Sequence, residues 1–316
     1  MTLSSRYLKK EGEIWATYLL TFERLLEKIS YYGVNVLDNK NKLENVLFIF
    51  NNIYSKSASF SLPIQSLSNR ITSLIGVQLE QITNVSLLVL VTTTLSRINN
   101  TSDLFAKYQK KITDNVSKLT LSDAVSLIQA MRKFSTVDLK LVSTLEAKII
   151  ENLGSFANER EIHHFAMVCQ ALAYIKGHKS QLYPNLAQKF FIDNKDLIET
   201  PLDLSFIVDA FTKMKIVNRD IYKIIEKKLV HMLPNLPEPI LDQILRAAQR
   251  RYENFSMHLL GGLSGEWDRR LESRPFGEMK PGLALNVVNL MNLVRERERL
   301  VEFKSYENLI AAMEKS

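Results

Sequence analysis

The chain has 316 residues, 46% hydrophobic and 24% charged, with a formal net charge of +7 and a pI near 9.2. That balance describes a globular chain with a sizeable core and excludes a disordered one, while ten glycines and eight prolines are too few for a turn-rich β protein. One cysteine, Cys169, excludes an internal disulfide framework and points to a reducing compartment.

The opening MTLSSRYLKKEGEIW places Ser4, Ser5, Arg6, Lys9 and Lys10 before its first acid, a thin likeness to an organellar transit peptide. Glu11 and Glu13 follow early, and Trp15 to Ile29 already read as a structural helix. Asn35 to Lys42 reads as an exposed connector, and Leu43 to Ile53 as a strongly apolar helix. Tyr54 to Ser61 reads as a polar interval, and Ile64 to Leu79 as a further helix. Residues 1–78 are therefore expected to form an N-terminal helical cap with a divergent repeat, which closes the open end of a stack.

From 79 to 260 a degenerate repeat governs. Its unit is an apolar helix with a small residue near the middle, a basic exit, a short turn and a second amphipathic helix. The clearest copies are LSDAVSLIQAMRKFSTVDLKLVSTLEAKIIENL from Leu121, EIHHFAMVCQALAYIKGHKSQLYPNLAQKF from Glu161 and LDLSFIVDAFTKMKIVNRDIYKIIEKKLVHML from Leu202. Weaker copies start near Val85 and Leu241. Aligning Thr94, Ala130, Ala171, Ala210 and Ala247 gives steps of 36, 41, 39 and 37 residues by subtraction. Helix pairs repeating every ~34–47 residues predict an all-α fold, an α-solenoid of degenerate helix-pair repeats 36–41 residues long. Pro201, Pro234, Pro237, Pro239 and Pro281 fall where one element ends and the next begins, consistent with proline's exclusion from helix interiors. In the copy at Leu121, Ser122 is the expected N-cap.

Beyond Gly261 the register loosens. LLGGLSGEWDRRLESRPFGEMKPG carries five glycines and two prolines and reads as an irregular, projecting loop. GLALNVVNLMNLV and VEFKSYENLIAAM then predict a C-terminal capping helix pair, so that 261–316 forms the third section. RERER, from Arg295 to Arg299, reads as a solvated helix surface.

Basic residues recur at the exit of each first helix: Arg97, Arg132, Lys133, Lys176, Lys213, Lys215, Arg250 and Arg251. Stacked in register they would line one edge and track a sugar–phosphate backbone, with Tyr108, Phe134, Tyr174 and Tyr252 close enough to stack on bases. The competing reading is that helix C-termini attract cations in any helical protein. In the 261–282 interval, Trp267, Arg269, Arg270 and Phe276 are candidate partner-docking residues, joined by Arg274, Met279 and Lys280; the alternative is an ordinary turn with Trp267 packed on its own repeat.

Catalytic motifs are absent. Glu161-Ile-His163-His164 contains one Glu-x-x-His step where a di-iron bundle needs two, and His164 and Cys169 lie five apart, which suits no zinc motif. Gly262-Leu-Ser264-Gly265 has Glu266 where a nucleophile elbow requires glycine. The expectation is a non-enzymatic chain without cofactor or metal. The apolar runs, Val46 to Phe50 and Leu87 to Val91 at most, fall far short of the ~20 residues of a membrane span.

At AVSLIQAMRKF…LEAKIIENL, FAMVCQALAYI…LAQKF and LSFIVDAFTKM…IIEKKLVHML the chain resembles organellar helical-repeat RNA-binding proteins. The similarity is to the heptatricopeptide and octotricopeptide-like repeats of RAP-domain and FAST kinase-like proteins, and it spans about residues 85–260. A RAP domain is not expected, because the last segments read as helices. The resemblance implies a mitochondrial (alternatively cytoplasmic) component of a ribonucleoprotein: a mitoribosome, or an RNA processing or editing complex. Its partners would be organellar rRNA, mRNA or guide RNA together with other proteins. The competing reading is a pure protein scaffold that never touches RNA.

Overall fold

A computed structural model describes residues 3–31, 40–78, 82–98, 101–183, 185–272, 281–297 and 303–314. The described residues are helical throughout, joined by turns and short 3₁₀ segments, with no strand among them. They fall into two compact units, Met1–Leu145 and Glu146–Ser316, divided inside one helix.

The first unit contains α1 (Leu3–Tyr31), α2 (Lys40–Phe60), α3 (Gln65–Gln78), α4 (Val85–Leu95), α5 (Ser102–Asp114), α6 (Leu121–Met131) and the first half of α7 (Leu139–Glu151). Alternate helices pack in a row, α2 on α4 and α4 on α6, with α1 against α2. The core is built from Leu47, Phe50 and Ile53 of α2, Leu88, Val91 and Leu95 of α4, and Leu127, Ile128 and Met131 of α6. Two expectations shift here. The polar interval Tyr54 to Ser61 stays helical to Phe60, where the Ser55 and Ser57 hydroxyls donate to carbonyls three residues back, each at 2.7 Å. The cap of α6 is Thr120, not Ser122: its hydroxyl accepts from the Asp123 amide at 3.1 Å, and the Asp123 carboxylate accepts from the Thr120 amide at 2.9 Å.

The second unit holds the rest of α7, then α8 (Ile162–Ile175), α9 (Leu186–Asp193), α10 (Pro201–Lys213), α11 (Arg219–Met232), α12 (Glu238–Arg250), α13 (Met257–Glu272), α14 (Pro281–Arg297) and α15 (Tyr306–Glu314). Here too the first helices of successive pairs pack on one another, α8 on α10, α10 on α12 and α12 on α14. The second helices do the same, α9 on α11 and α11 on α13. Ala171, Ala210 and Ala247 are all within 1% of full burial at these contacts, so the small residue near each helix middle is where the row closes up. Pro201 occupies the first turn of α10, behind the Thr200 cap.

A polar contact recurs from pair to pair. One acceptor on each second helix takes a donor at or near the start of the next second helix. Gln109 accepts the Asp138 amide within the first unit. In the second, Glu146 accepts the amides of Gln181 and Leu182 at 2.9 and 3.2 Å, and Gln188 accepts from the Asn218 side chain at 3.3 Å. Glu226 accepts the Ser256 amide, and Asp268 accepts those of Lys304 and Ser305 at 3.1 and 2.9 Å. From Gln109 to Asp268 the acceptors step by 37, 42, 38 and 42 residues by subtraction. Helix starts leave amides without intrahelical partners, and these side chains satisfy some of them from the neighbouring pair.

The expected break at Gly261 is absent. α13 runs through Gly261, Gly262 and Gly265, because Leu260, Leu263, Trp267 and Leu271 recur at helical spacing and all are buried. Gly262 has its own reason: a Cβ there would stand 3.0 Å from Leu233 Cδ1, so glycine permits the approach of the preceding turn.

Candidate nucleic-acid interface

The ends of α8, α10 and α12 bring Tyr174, Lys213 and Arg250 together in the second unit around one acid, Asp209. Asp209 lies on the buried side of α10, with 5% of its side chain exposed. A carboxylate placed so deep must be paired. It receives hydrogen bonds from Gln170 of α8 at 2.6 Å, from the Tyr174 hydroxyl at 3.4 Å, and from the Arg250 guanidinium, its ion-pair partner. Asp209 belongs to no motif in the sequence, and its one signal there is a charge inside the apolar run LSFIVDAF, itself a sign of a buried partner.

Lys213 completes the group. Its ammonium sits 3.5 Å from the centroid of the Tyr174 ring, a cation–π contact, and among the described residues it makes no ion pair. Desolvation and the neighbouring Arg250 hold it below the ordinary lysine pKa, against the opposing pull of Asp209. Lys213 and Arg250 thus share one carboxylate, and Tyr174 presents 45% of its surface to solvent beside them. A second aromatic–cation pair follows along the same row: the Arg297 guanidinium at the end of α14 lies 4.9 Å from the ring of Tyr252, which is 38% exposed just past α12.

The other basic candidates have different fates. Lys176 is withdrawn from the surface: its side chain is 5% exposed and paired with Glu146, itself 1% exposed. It serves the packing, so as an RNA contact it is a correction to the expected stripe. Arg251 turns to Glu253 at 3.1 Å. Lys215 is exposed, in a left-handed conformation with φ 58°. In the first unit, Arg97 donates to the Asn51 carbonyl of α2 at 3.1 Å, Arg132 caps the end of α6, and Lys133 is exposed beside it. Of the four aromatic candidates, Tyr174 and Tyr252 are at the surface. Phe134 is buried and stacked on Phe105 at 3.9 Å, and Tyr108 is buried with its hydroxyl on the Ile75 carbonyl.

The proposed docking residues are also relocated. Trp267 is 1% exposed in α13, so it is core and not a projecting anchor. Arg269 and Arg270 clasp Glu266 at 2.7 and 2.5 Å, and Arg270 donates to the Leu236 carbonyl at 2.7 Å, tying α13 to the turn before α12. Phe276, with Arg274, Met279 and Lys280, lies outside the described residues.

Around the histidines, His163 bonds Asp203 at the start of α10 and His164 bonds Glu161 at 2.7 Å. No group of three or more His, Cys, Asp or Glu side chains among the described residues is placed to hold a metal ion. Cys169 is fully buried, and burial pushes its thiol far above the ordinary value, which leaves it inert. No described helix is long and apolar enough to cross a membrane. No protein-family model matches this chain, and no curated protein matches it.

Proposed function

We propose that the chain is a non-catalytic, RNA-associated α-solenoid, a component of a mitochondrial ribonucleoprotein, with the ends of its first helices as the RNA-facing edge. One observation carries the reading: Lys213, Arg250 and Tyr174 converge at the ends of adjacent helices, and Arg297 with Tyr252 repeats the pairing further along the row. Exposed aromatic faces beside cations are what a single strand requires, since phosphates seek the charge and bases the ring. The stacking of first helix on first helix in each unit supports the solenoid part of the reading. The mitochondrial setting rests on the family resemblance.

Fluorescence anisotropy of the full chain with a labelled single-stranded RNA, run over a salt series, tests this. Log affinity should fall with log salt by about 0.7 per phosphate contact. Salt-independent affinity, or no binding at any salt, overturns the RNA role.

A scaffold reading has its own observation. On α1, Ile14, Tyr18 and Leu25 share one helical face and are 48%, 60% and 46% exposed, an apolar stripe suited to protein contact. If the complex survives ribonuclease and its recovery depends on that stripe alone, the scaffold reading prevails.

A further inference from the structure

We propose that Lys213 and Arg250, set beside the Tyr174 ring, form a seat for a single phosphate, the point at which one phosphodiester of the bound strand is gripped. The inference rests on the RNA reading for its ligand and on the local geometry for its chemistry.

Two cations and one carboxylate leave this cluster one positive charge in excess. Asp209 is already engaged by Arg250, Gln170 and Tyr174, so its lone pairs are largely committed. Lys213 is left with an aromatic face for company, and a ring quadrupole satisfies an ammonium only in part. Half-buried and repelled by Arg250, it has only a share of the Asp209 carboxylate and makes no ion pair of its own among the described residues. A phosphate oxygen would be shared by its three donors and by the guanidinium, which is two-thirds covered and fixed in direction by Asp209. The Tyr174 ring alongside offers a surface for the adjoining sugar or base.

The opposing effect is the negative end of the helix dipole, since both cations stand at C-termini. At α10 that end is closed. The Ala210, Thr212 and Phe211 carbonyls accept the amides of Met214, Lys215 and Ile216 at 2.9, 3.2 and 3.0 Å. These carbonyls are turned to internal donors, which weakens their repulsion of an incoming anion.

The experiment compares two lysines two residues apart. In the full chain, Lys213→Gln should weaken single-stranded RNA binding about tenfold and reduce the salt slope by about 0.7. Lys215→Gln removes the same formal charge from an exposed site and should change affinity less than about twofold, because isolated exposed charges contribute little. Lys213→Arg keeps the charge and should stay close to the parent protein, which separates loss of the cation from loss of packing. Equal losses in Lys213→Gln and Lys215→Gln would show a diffuse basic edge and overturn the seat while leaving the RNA reading intact.

A second measurement uses inorganic phosphate alone. On 13C-methylated protein, the Lys213 signal, assigned by its disappearance in Lys213→Gln, should titrate at higher pH when phosphate is added. An unchanged titration overturns the seat. A phosphate-dependent shift in a protein that binds no RNA supports the seat and refutes the RNA reading.

Discussion

The Glu146 carboxylate on α7 holds the Lys176 ammonium at the end of α8, and both side chains are almost wholly out of solvent, at 1% and 5% exposure. The same carboxylate receives the Ser180 hydroxyl and the amides of Gln181 and Leu182. A single acid therefore neutralises a buried cation and terminates the turn leading towards α9. Its counterparts on other second helices, Gln109, Gln188, Glu226 and Asp268, accept one to three donors at the equivalent place, with no buried cation paired to them among the described residues.

Removing Glu146 should accordingly be severe. Glu146→Ala removes the carboxylate paired with buried Lys176 and the acceptor of two amides, and should destabilise the protein by about 3–5 kcal/mol. The double variant Glu146→Leu with Lys176→Met should recover much of that loss, since a buried pair is often replaceable by apolar residues of similar volume. Urea unfolding of the three proteins decides the matter. A cost below about 1 kcal/mol for Glu146→Ala would place the pair in solvent.

Acid should act through Glu266. Burial pushes its carboxyl up, but hydrogen bonds from Arg269 and Arg270 outweigh burial and leave it below the ordinary value of 4.5. A carboxyl depressed in the folded state contributes stability above its unfolded value, and loses that contribution as pH falls through the folded value. The loss should therefore begin near pH 4.5 and deepen below it. Glu266→Gln should be less stable than the parent at pH 7, and the two should converge as pH falls. Curves that stay parallel down to pH 3 would show that Glu266 is not coupled to folding.

What could be read from the chain itself were features with a period. Ala130, Ala171, Ala210 and Ala247 recur at helix-pair spacing because close helix approach demands a small side chain, and all four are buried. Pro201 and the apolar runs marked helix starts and faces for the same local reason. Glycine misled at Gly261, Gly262 and Gly265: each costs a helix about 1 kcal/mol, but burial of Trp267 and its apolar neighbours outweighs that. The basic exits were visible as a pattern while their partners were not. Whether Lys176 faces RNA or Glu146 depends on residues 30 apart in the chain, and helical periodicity carries no information at that range.

Overpacking tests the row of first helices. Ala210 is fully buried on α10 between α8 and α12, so Ala210→Leu should cost about 1–3 kcal/mol as its neighbours are displaced. Leu202→Ala, 38% exposed on the same helix, should change stability by less than about 1 kcal/mol. Matching effects from the two would dissolve the distinction between the packed and open faces of α10.

Lys215 offers a substitution in the other direction. It follows α10 at φ 58°, where the Ile216 amide reaches back to the Phe211 carbonyl at 3.0 Å and the Lys215 amide to that of Thr212 at 3.2 Å, a Schellman closure. That position favours glycine, because a Cβ in the left-handed region crowds the following carbonyl at a cost of roughly 1 kcal/mol. Glycine also gives the unfolded chain more freedom, which offsets part of the gain. Lys215→Gly should therefore raise stability by a few tenths to about 1 kcal/mol, and Lys215→Val should lower it by more, since branching at Cβ worsens the crowding. Thermal unfolding of the two variants checks the order. If valine matches glycine, the turn after α10 is free to leave the left-handed region, and the closed helix end beside Lys213 loses its support.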